Sequence, residues 1–131
     1  MIGSRIGLPY FRAHHAQALL RHKNYDAAIA SARQAAQASA ASGLHCWHAE
    51  VLRLYADVCH HTNRTDEATK ALSDAVATAD RQDAGLWRLR ARIDQFRTDR
   101  ASRDELAAAV AALPTAANPP EVAAAKRLLD A

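Results

Sequence analysis

Glycine and proline are scarce in this chain, with four of each among its 131 residues. Because these two residues interrupt helices most strongly, their scarcity leaves long stretches free to be helical. β-Branched residues are also few, and no run alternates apolar and polar residues as a half-buried strand does. Roughly a quarter of the residues are alanine, which has the highest helix propensity. We therefore predict an all-α protein.

The chain also lacks the segments that mark membrane or secreted proteins. Its longest apolar run, 106–113, is too short and too rich in alanine to span a bilayer. Residues 1–11 hold no sustained apolar core of a signal peptide. Cys46 and Cys59 fall about 20 Å apart on one predicted helix, which is too far for a disulfide between them. These features predict a reduced, cytoplasmic protein with no membrane partner.

Long blocks of one charge and the usual catalytic motifs are missing as well. The formal net charge is +3, and acids and bases are interleaved, as on a solvated surface. The arginines of the third predicted hairpin alternate with aspartates, and intrahelical pairs such as Arg90–Asp94 account for them. No phosphate-binding glycine loop, nucleophile elbow or zinc motif is present. We predict a protein that is not an enzyme, with no cofactor and no nucleic-acid partner.

What the sequence does contain is a period of 40 residues. Trp47 and Trp87 are separated by this distance, and so are Ala28 and Ala68. Each period holds two amphipathic helical runs joined by a short turn such as 63–66. A helical hairpin that recurs at a fixed period is the signature of an α-solenoid.

The helical runs divide one domain, which covers the whole chain, into hairpins and a terminal helix. We place the three hairpins at about 9–42, 44–82 and 86–113, and the terminal capping helix at about 119–130. Asn24 is expected to take the left-handed conformation in the first turn, and Gly43 to end the second helix. Thr65 is expected to cap the fourth helix. Ser102 and Glu105 have the spacing of a capping box.

Small residues recur at matching positions of the first two hairpins. The pairs are Ala16 and Ala56, Ala28 and Ala68, and Ala35 and Ala75. This pattern resembles the tetratricopeptide repeat (TPR), lengthened beyond its usual period of about 34 residues. The resemblance implies a TPR-like α-α superhelix in which the first helix of each hairpin lines a concave groove.

Several phrases resemble one subgroup of such repeats more closely. They are residues 49–54, 66–68, 79–84, 89–91 and 125–129. They are similar to the C-terminal repeat region of large bacterial regulators that join an adenylate-cyclase or LuxR-type DNA-binding output to a regulatory ATPase. The resemblance implies a protein–protein interaction module, or scaffold, of bacterial signalling. The chain has no P-loop, cyclase or helix-turn-helix pattern, so those outputs do not carry over.

Polar residues on the first helices are the candidate partner-binding groove. The candidates are Gln17 and Arg21 on the first hairpin, Glu50, Arg53, Asp57 and His60 on the second, and Arg88 and Gln95 on the third. The four on the second hairpin recur at i, i+3, i+7 and i+10 and therefore form one stripe. Such a groove of mixed charge can hold a peptide by charge-assisted hydrogen bonds. The alternative is a solvated helix face with weak exposed ion pairs.

Two other hypotheses belong to different classes. A homodimer would bury apolar faces that we expect at the two ends of the array, within 1–20 and 122–129. A histidine-based metal site is the other alternative, because His22, His60 and His61 fall at the ends of neighbouring predicted helices. A helix C-terminus favours basic residues by its dipole alone, so no residue is assigned as a metal ligand. Trp47 and Trp87 are expected to pack between hairpins, and Cys59 to lie in the core.

Overall fold

The computed structural model describes residues 8–41 and 47–131, which form seven helices and no strand. The helices are α1 Leu8–Arg21, α2 Tyr25–Ala41, α3 His48–His61, α4 Thr65–Arg81, α5 Gly85–Arg97, α6 Arg103–Ala111 and α7 Pro120–Asp130. The prediction of an all-α protein is confirmed. The expectations for Gly43, for Cys46, for a helix start at Leu44 and for residues 1–7 lie outside the described residues.

The helices are arranged in two layers of stacked hairpins. One layer, called here the odd layer, is α1, α3, α5 and α7, each in contact with the next. The even layer is formed by α2, α4 and α6, and each of these helices packs against the two odd helices that flank it in sequence. This is the predicted TPR-like helical superhelix: three hairpins followed by a terminal helix.

The alanines that repeat along the sequence are buried in the clusters between helices. Each of the six is at most 1% exposed: Ala16, Ala28, Ala35, Ala56, Ala68 and Ala75. Larger apolar side chains fill separate clusters between neighbouring helices rather than one central core. Trp47 and Trp87 lie with ring centroids 6.1 Å apart, so the expected packing between hairpins is confirmed. Cys59 is fully buried, also as expected.

The turns after α1, α3, α4 and α5 share one backbone geometry. One residue in each turn has a positive φ: Lys23 at 62°, Asn63 at 62°, Asp83 at 51° and Asp99 at 58°. The next residue then donates its N–H to the carbonyl five residues back, as Arg64 does to Cys59 at 2.8 Å. This is the Schellman motif. The expectation that Asn24 takes the left-handed conformation is wrong: α1 ends at Arg21, which places Lys23 there instead.

Helix N-termini follow the sequence expectations in part. Ser102 accepts a hydrogen bond from the Glu105 N–H at 3.1 Å, and the Glu105 carboxylate accepts one from the Ser102 N–H at 3.0 Å, which confirms the capping box. The expected cap at Thr65 is wrong, because Arg64 occupies the N-cap position without a side-chain bond and Thr65 is the first helical residue.

Replacing Lys23 with glycine is expected to raise the free energy of unfolding by about 0.5–1 kcal/mol. Lysine has a Cβ that is strained at positive φ, whereas glycine has none, and the gain is reduced because glycine also frees the unfolded chain. Urea unfolding followed by circular dichroism measures the change. Asn63→Gly is the matched control and should gain less, because asparagine tolerates this conformation better. A loss of stability in Lys23→Gly would contradict the argument.

The two ends of the array differ in how they bury apolar residues. At the C-terminal end, Val122 and Ala125 are buried, and Leu128 and Leu129 pack against the same cluster. The apolar face expected within 122–129 is therefore used inside the chain. On the first hairpin, by contrast, Leu8, Phe11 and Tyr25 are 46%, 68% and 47% exposed. No helix in the described part of the chain is long and apolar enough to cross a bilayer.

Candidate partner-binding groove

Three cavities follow one another along the odd layer. The first, of about 320 Å³, lies between α1 and α3, and the second, also about 320 Å³, lies between α3 and α5. The third, of about 210 Å³, is bounded by α3, α5 and α7. Asp57 and His61 line both the first and the second cavity, and Asp94 and Arg97 line both the second and the third. Neighbouring cavities thus share lining residues, and we call this row of three cavities the groove.

A network of five charged side chains joins α3, α5 and α7, and four of its members line the third cavity. It consists of Glu50 and Arg53 on α3, Arg90 and Asp94 on α5, and Glu121 on α7. Glu50 is only 1% exposed and receives Arg53 at 2.6 Å and Arg90 at 3.3 Å. The outer pairs are Arg53–Asp94 at 2.9 Å and Arg90–Glu121 at 3.4 Å. Each arginine thus bridges two carboxylates: Arg53 connects α3 to α5, and Arg90 connects α5 to both α3 and α7.

The surroundings of this network shift the pKa values of two members. Burial lowers the pKa of Arg53, but the hydrogen bonds and charge of Glu50, together with those of Asp94, raise it by more. The pKa of Arg53 is therefore above its usual value. Burial raises the pKa of Asp94 above its usual range, and this outweighs the opposing effect of Arg53. Arg53 therefore stays charged, while Asp94 depends on Arg53 to offset the cost of its burial.

The structure brings five of the eight candidate residues to the groove. These are Gln17, Arg21, Arg53, Asp57 and His60. Across the first cavity, the Gln17 side-chain amide donates to the Asp57 carboxylate at 3.1 Å. His61 Nδ1 lies 2.9 Å from the Asp57 carbonyl oxygen and 3.4 Å from its carboxylate. Binding of a partner by these residues stays a prediction.

The other three candidates lie elsewhere. Glu50 is buried beneath its two arginines and offers no open surface. Arg88 turns away to donate to Asp80 at the end of α4, at 2.9 Å. Gln95 is buried and accepts a hydrogen bond from Arg92, which also pairs with Glu105 of α6.

The expected intrahelical pair Arg90–Asp94 is also wrong. Arg90 reaches across to Glu50 and Glu121, and Asp94 receives Arg53 from α3. Both residues face neighbouring helices of the odd layer, where a more buried oppositely charged partner is within reach. Pairing along the exposed surface of α5 is worth little by comparison.

Several groove residues were missed at the sequence level, although the 40-residue period marks them. Counting 40 residues onward from Asp57 gives Arg97, and from His60 gives Arg100, and both line the second cavity. The same step from Glu50 gives Arg90. Arg88 and Gln95 fit the polar pattern of the candidate groove but fall outside this register. The period was therefore a better guide to the third hairpin than the polar pattern was.

The charges in the groove are not all neutralised. Each carboxylate there has a polar or basic partner: Asp57 has Gln17 and His61, Asp94 has Arg53, and Glu121 has Arg90. The side chains of Arg21, Arg97 and His60 form no hydrogen bond or ion pair with any residue in 8–41 or 47–131. The charge of Arg97 nevertheless lies near enough to Asp94 to favour the ionised form of that carboxylate. Arg100 donates to the Thr69 hydroxyl at 2.7 Å but pairs with no carboxylate in these ranges. The groove therefore contains guanidinium N–H groups of Arg21 and Arg97 that donate no hydrogen bond within the described chain.

A second cluster of hydrogen-bonded side chains joins the first two hairpins outside the groove. Arg33 on α2 donates two hydrogen bonds to Glu67 on α4, at 2.7 and 3.3 Å, and Tyr55 on α3 donates to the same carboxylate at 2.5 Å. The hydrogen bond from Arg33, followed by that from Tyr55, lowers the pKa of Glu67. Burial raises the pKa of the nearby Cys59 thiol to about 11. The thiol is thus neutral and enclosed, as expected of a core residue.

The histidines do not assemble into a ligand set. Among residues 8–41 and 47–131, no three histidine, cysteine, aspartate or glutamate side chains are placed to hold a metal ion. His22 is exposed and does not line any of the three cavities, whereas His60 and His61 make an edge-to-face ring contact at 5.4 Å. The geometry therefore gives no support to the metal-site alternative.

Comparison with known proteins agrees with the architecture. A family model of the tetratricopeptide repeat matches residues 19–93, which run from the last turn of α1 to Ile93 in α5. The chain therefore belongs to the tetratricopeptide repeat family. Repeats of this family generally mediate protein–protein interactions and are typically not catalytic. No curated protein and no solved structure matches the chain.

Proposed function

We propose that this chain is a non-catalytic interaction module that binds a peptide or a partner domain in the groove. The observation that carries the proposal is the row of three cavities along α1, α3, α5 and α7, in which neighbouring cavities share lining residues. We further propose, from the resemblance of residues 49–54, 66–68, 79–84, 89–91 and 125–129, that the partner belongs to a bacterial signalling system in the cytoplasm. The whole chain would act as one repeat domain.

The groove is suited to binding because its walls are held in place before a partner arrives. The ion-pair network joins α3, α5 and α7, and the Gln17–Asp57 hydrogen bond joins α1 to α3. A preorganised site loses less conformational entropy on binding than a flexible one does. A chain of shallow cavities accommodates successive side chains of an extended or helical segment.

A peptide-display selection tests this function without knowledge of the natural partner. A random library is selected on the wild-type protein, and recovered peptides are measured by fluorescence anisotropy against Arg21→Glu/Arg97→Glu. We expect affinity to fall at least about tenfold in this variant, because both charges face the groove.

The matched control is Arg103→Glu, which makes the same charge change on an exposed residue of α6, outside the groove. Circular dichroism should show the same helical content in all variants. Recovery of no peptide, or of peptides that bind the groove variant and the wild type equally, would exclude groove binding.

Self-association is a second candidate, favoured by one observation. Leu8, Phe11 and Tyr25 are exposed apolar side chains on the first hairpin, and a symmetric dimer could bury them. Light scattering behind a sizing column should then give a dimer that Phe11→Glu dissociates. A wild-type monomer at high micromolar concentration would exclude this candidate.

A further inference from the structure

We propose that the occupant of the groove is an acidic peptide segment, with an aspartate or glutamate side chain seated in the cavity between α3 and α5. This inference rests on the proposed function and specifies the chemistry of the partner. It is carried by the balance of used and unused charges along the groove and by the construction of the second cavity.

The charge balance favours an acidic partner. Five arginines and three carboxylates line the three cavities, and the buried Glu50 carboxylate beneath Arg53 and Arg90 is a fourth negative charge. All three carboxylates already accept a hydrogen bond from a side chain of the groove. The Arg21 and Arg97 side chains donate no hydrogen bond in the described chain, although the charge of Arg97 also acts on nearby Asp94. Arg21 and Arg97 are the last residues of α1 and α5, where the helix dipole favours a positive charge. They nevertheless leave guanidinium N–H groups open to a carboxylate.

The second cavity combines an apolar wall with hydrogen-bond donors. Two carboxylates also line it, but Asp57 accepts from Gln17 and Asp94 from Arg53. Ala56 and Leu72, both buried, provide an apolar wall for its methylene groups. Arg97, Arg100 and His60 lie around the same cavity and can donate to its carboxylate. Hydrogen bonds between a guanidinium group and a carboxylate are among the strongest in proteins.

The neighbouring cavities extend the preference along a peptide. Arg97 also lines the third cavity, and Arg21 lines the first, so a segment with more than one carboxylate meets an arginine that donates no side-chain hydrogen bond on either side. A basic segment could pair with Asp57, but elsewhere in the groove it would have to displace Arg53 from Asp94 or approach Arg97 directly. Either event costs free energy, the first by breaking a partly buried pair and the second by like-charge repulsion.

A nucleic acid fits the groove less well than an acidic peptide does. Asp57, Asp94 and Glu121 line the same three cavities as the arginines. A phosphate backbone that follows the groove would pass each of these carboxylates, whereas a peptide can place its acids only where cations are free. The interleaving of charges therefore favours discrete carboxylates over a continuous polyanion.

The test uses a short fluorescein-labelled peptide of alternating glutamate and alanine, followed by fluorescence anisotropy at low ionic strength. Matched peptides carry glutamine or lysine in place of glutamate. We expect the glutamate peptide to bind more tightly than both, and Arg97→Gln to weaken it about tenfold. Arg103→Gln, which removes an equal charge on α6, should bind as the wild type does. Added salt should weaken binding, because exposed charges are screened.

Several outcomes would overturn the inference. Equal or tighter binding of the glutamine or lysine peptide would do so, and so would glutamate binding that Arg97→Gln leaves unchanged. Polyuridine RNA that binds in an Arg97-dependent manner while the glutamate peptide does not would assign the groove to nucleic acid. Neutral or basic peptides from the display selection that depend on the groove would remove the acidic preference and leave the proposed function standing. A selection that recovers no groove-dependent peptide would remove the proposed function itself.

Discussion

Replacing Glu50 with alanine is expected to lower the free energy of unfolding by about 3 kcal/mol, the lower part of the range for breaking a buried ion pair. The carboxylate is 1% exposed and accepts from both Arg53 and Arg90. Its loss leaves two guanidinium groups close together with no shared counter-charge. Each keeps one other carboxylate and is partly exposed, so water can relieve part of the cost.

Urea unfolding of Glu50→Ala measures this loss, with Glu50→Gln as an isosteric variant that keeps the shape and removes the charge. Glu50→Gln should fall between the wild type and alanine, because its amide oxygen still accepts hydrogen bonds. The matched control is Arg97→Ala, which removes an exposed charge and should change stability by less than about 0.5 kcal/mol. A loss below about 1 kcal/mol in Glu50→Ala would show that the network does not hold α3, α5 and α7 together.

Truncating Leu89 to alanine is expected to cost about 3–4 kcal/mol. Leu89 lies on α5, is fully buried, and belongs to the cluster in which α6 and α7 pack, with Leu106 and Val122 among its members. The truncation leaves a cavity that short helices on both sides must either tolerate or collapse around. Because hairpins of an array contact mainly their neighbours, the damage should be greatest in α5, α6 and α7.

Hydrogen exchange of Leu89→Ala separates this local effect from a general loss of structure. Amide protection should fall across 85–130, while α1 and α2 keep theirs. Leu8→Ala is the control of equal chemistry: Leu8 is 46% exposed, and its truncation should change stability by less than about 1 kcal/mol. Uniform loss of protection in Leu89→Ala would mean that the described hairpins unfold as a single cooperative unit.

The helices and their stacking could be predicted because they depend on local and periodic features. The alanine spacing predicted buried helix positions, and the Ser102–Glu105 capping box predicted the start of α6. Lys23 at positive φ could not be foreseen, since lysine has no preference for that conformation and only the end of α1 puts it there.

The sequence predicted most of the cavity-lining candidates on the first two hairpins and none on the third. Gln17 and Asp57 were in register and hydrogen-bond to each other, whereas Arg88 and Gln95 were out of register. The burial of Glu50 had no local signal, because it follows from arginines on two different helices. Polarity alone cannot distinguish a solvated stripe from a row of side chains that meets another helix.

The ion-pair network also bears on how fast the protein folds and unfolds. Most contacts in stacked hairpins join residues close in sequence, which favours rapid folding. The bridges between Glu50, Arg90 and Glu121 join positions 40 and 31 residues apart and require α3, α5 and α7 to be docked already. Interactions that form after the rate-limiting step slow unfolding without speeding folding. The ion-pair network would then act mainly by slowing the unfolding of the assembled array.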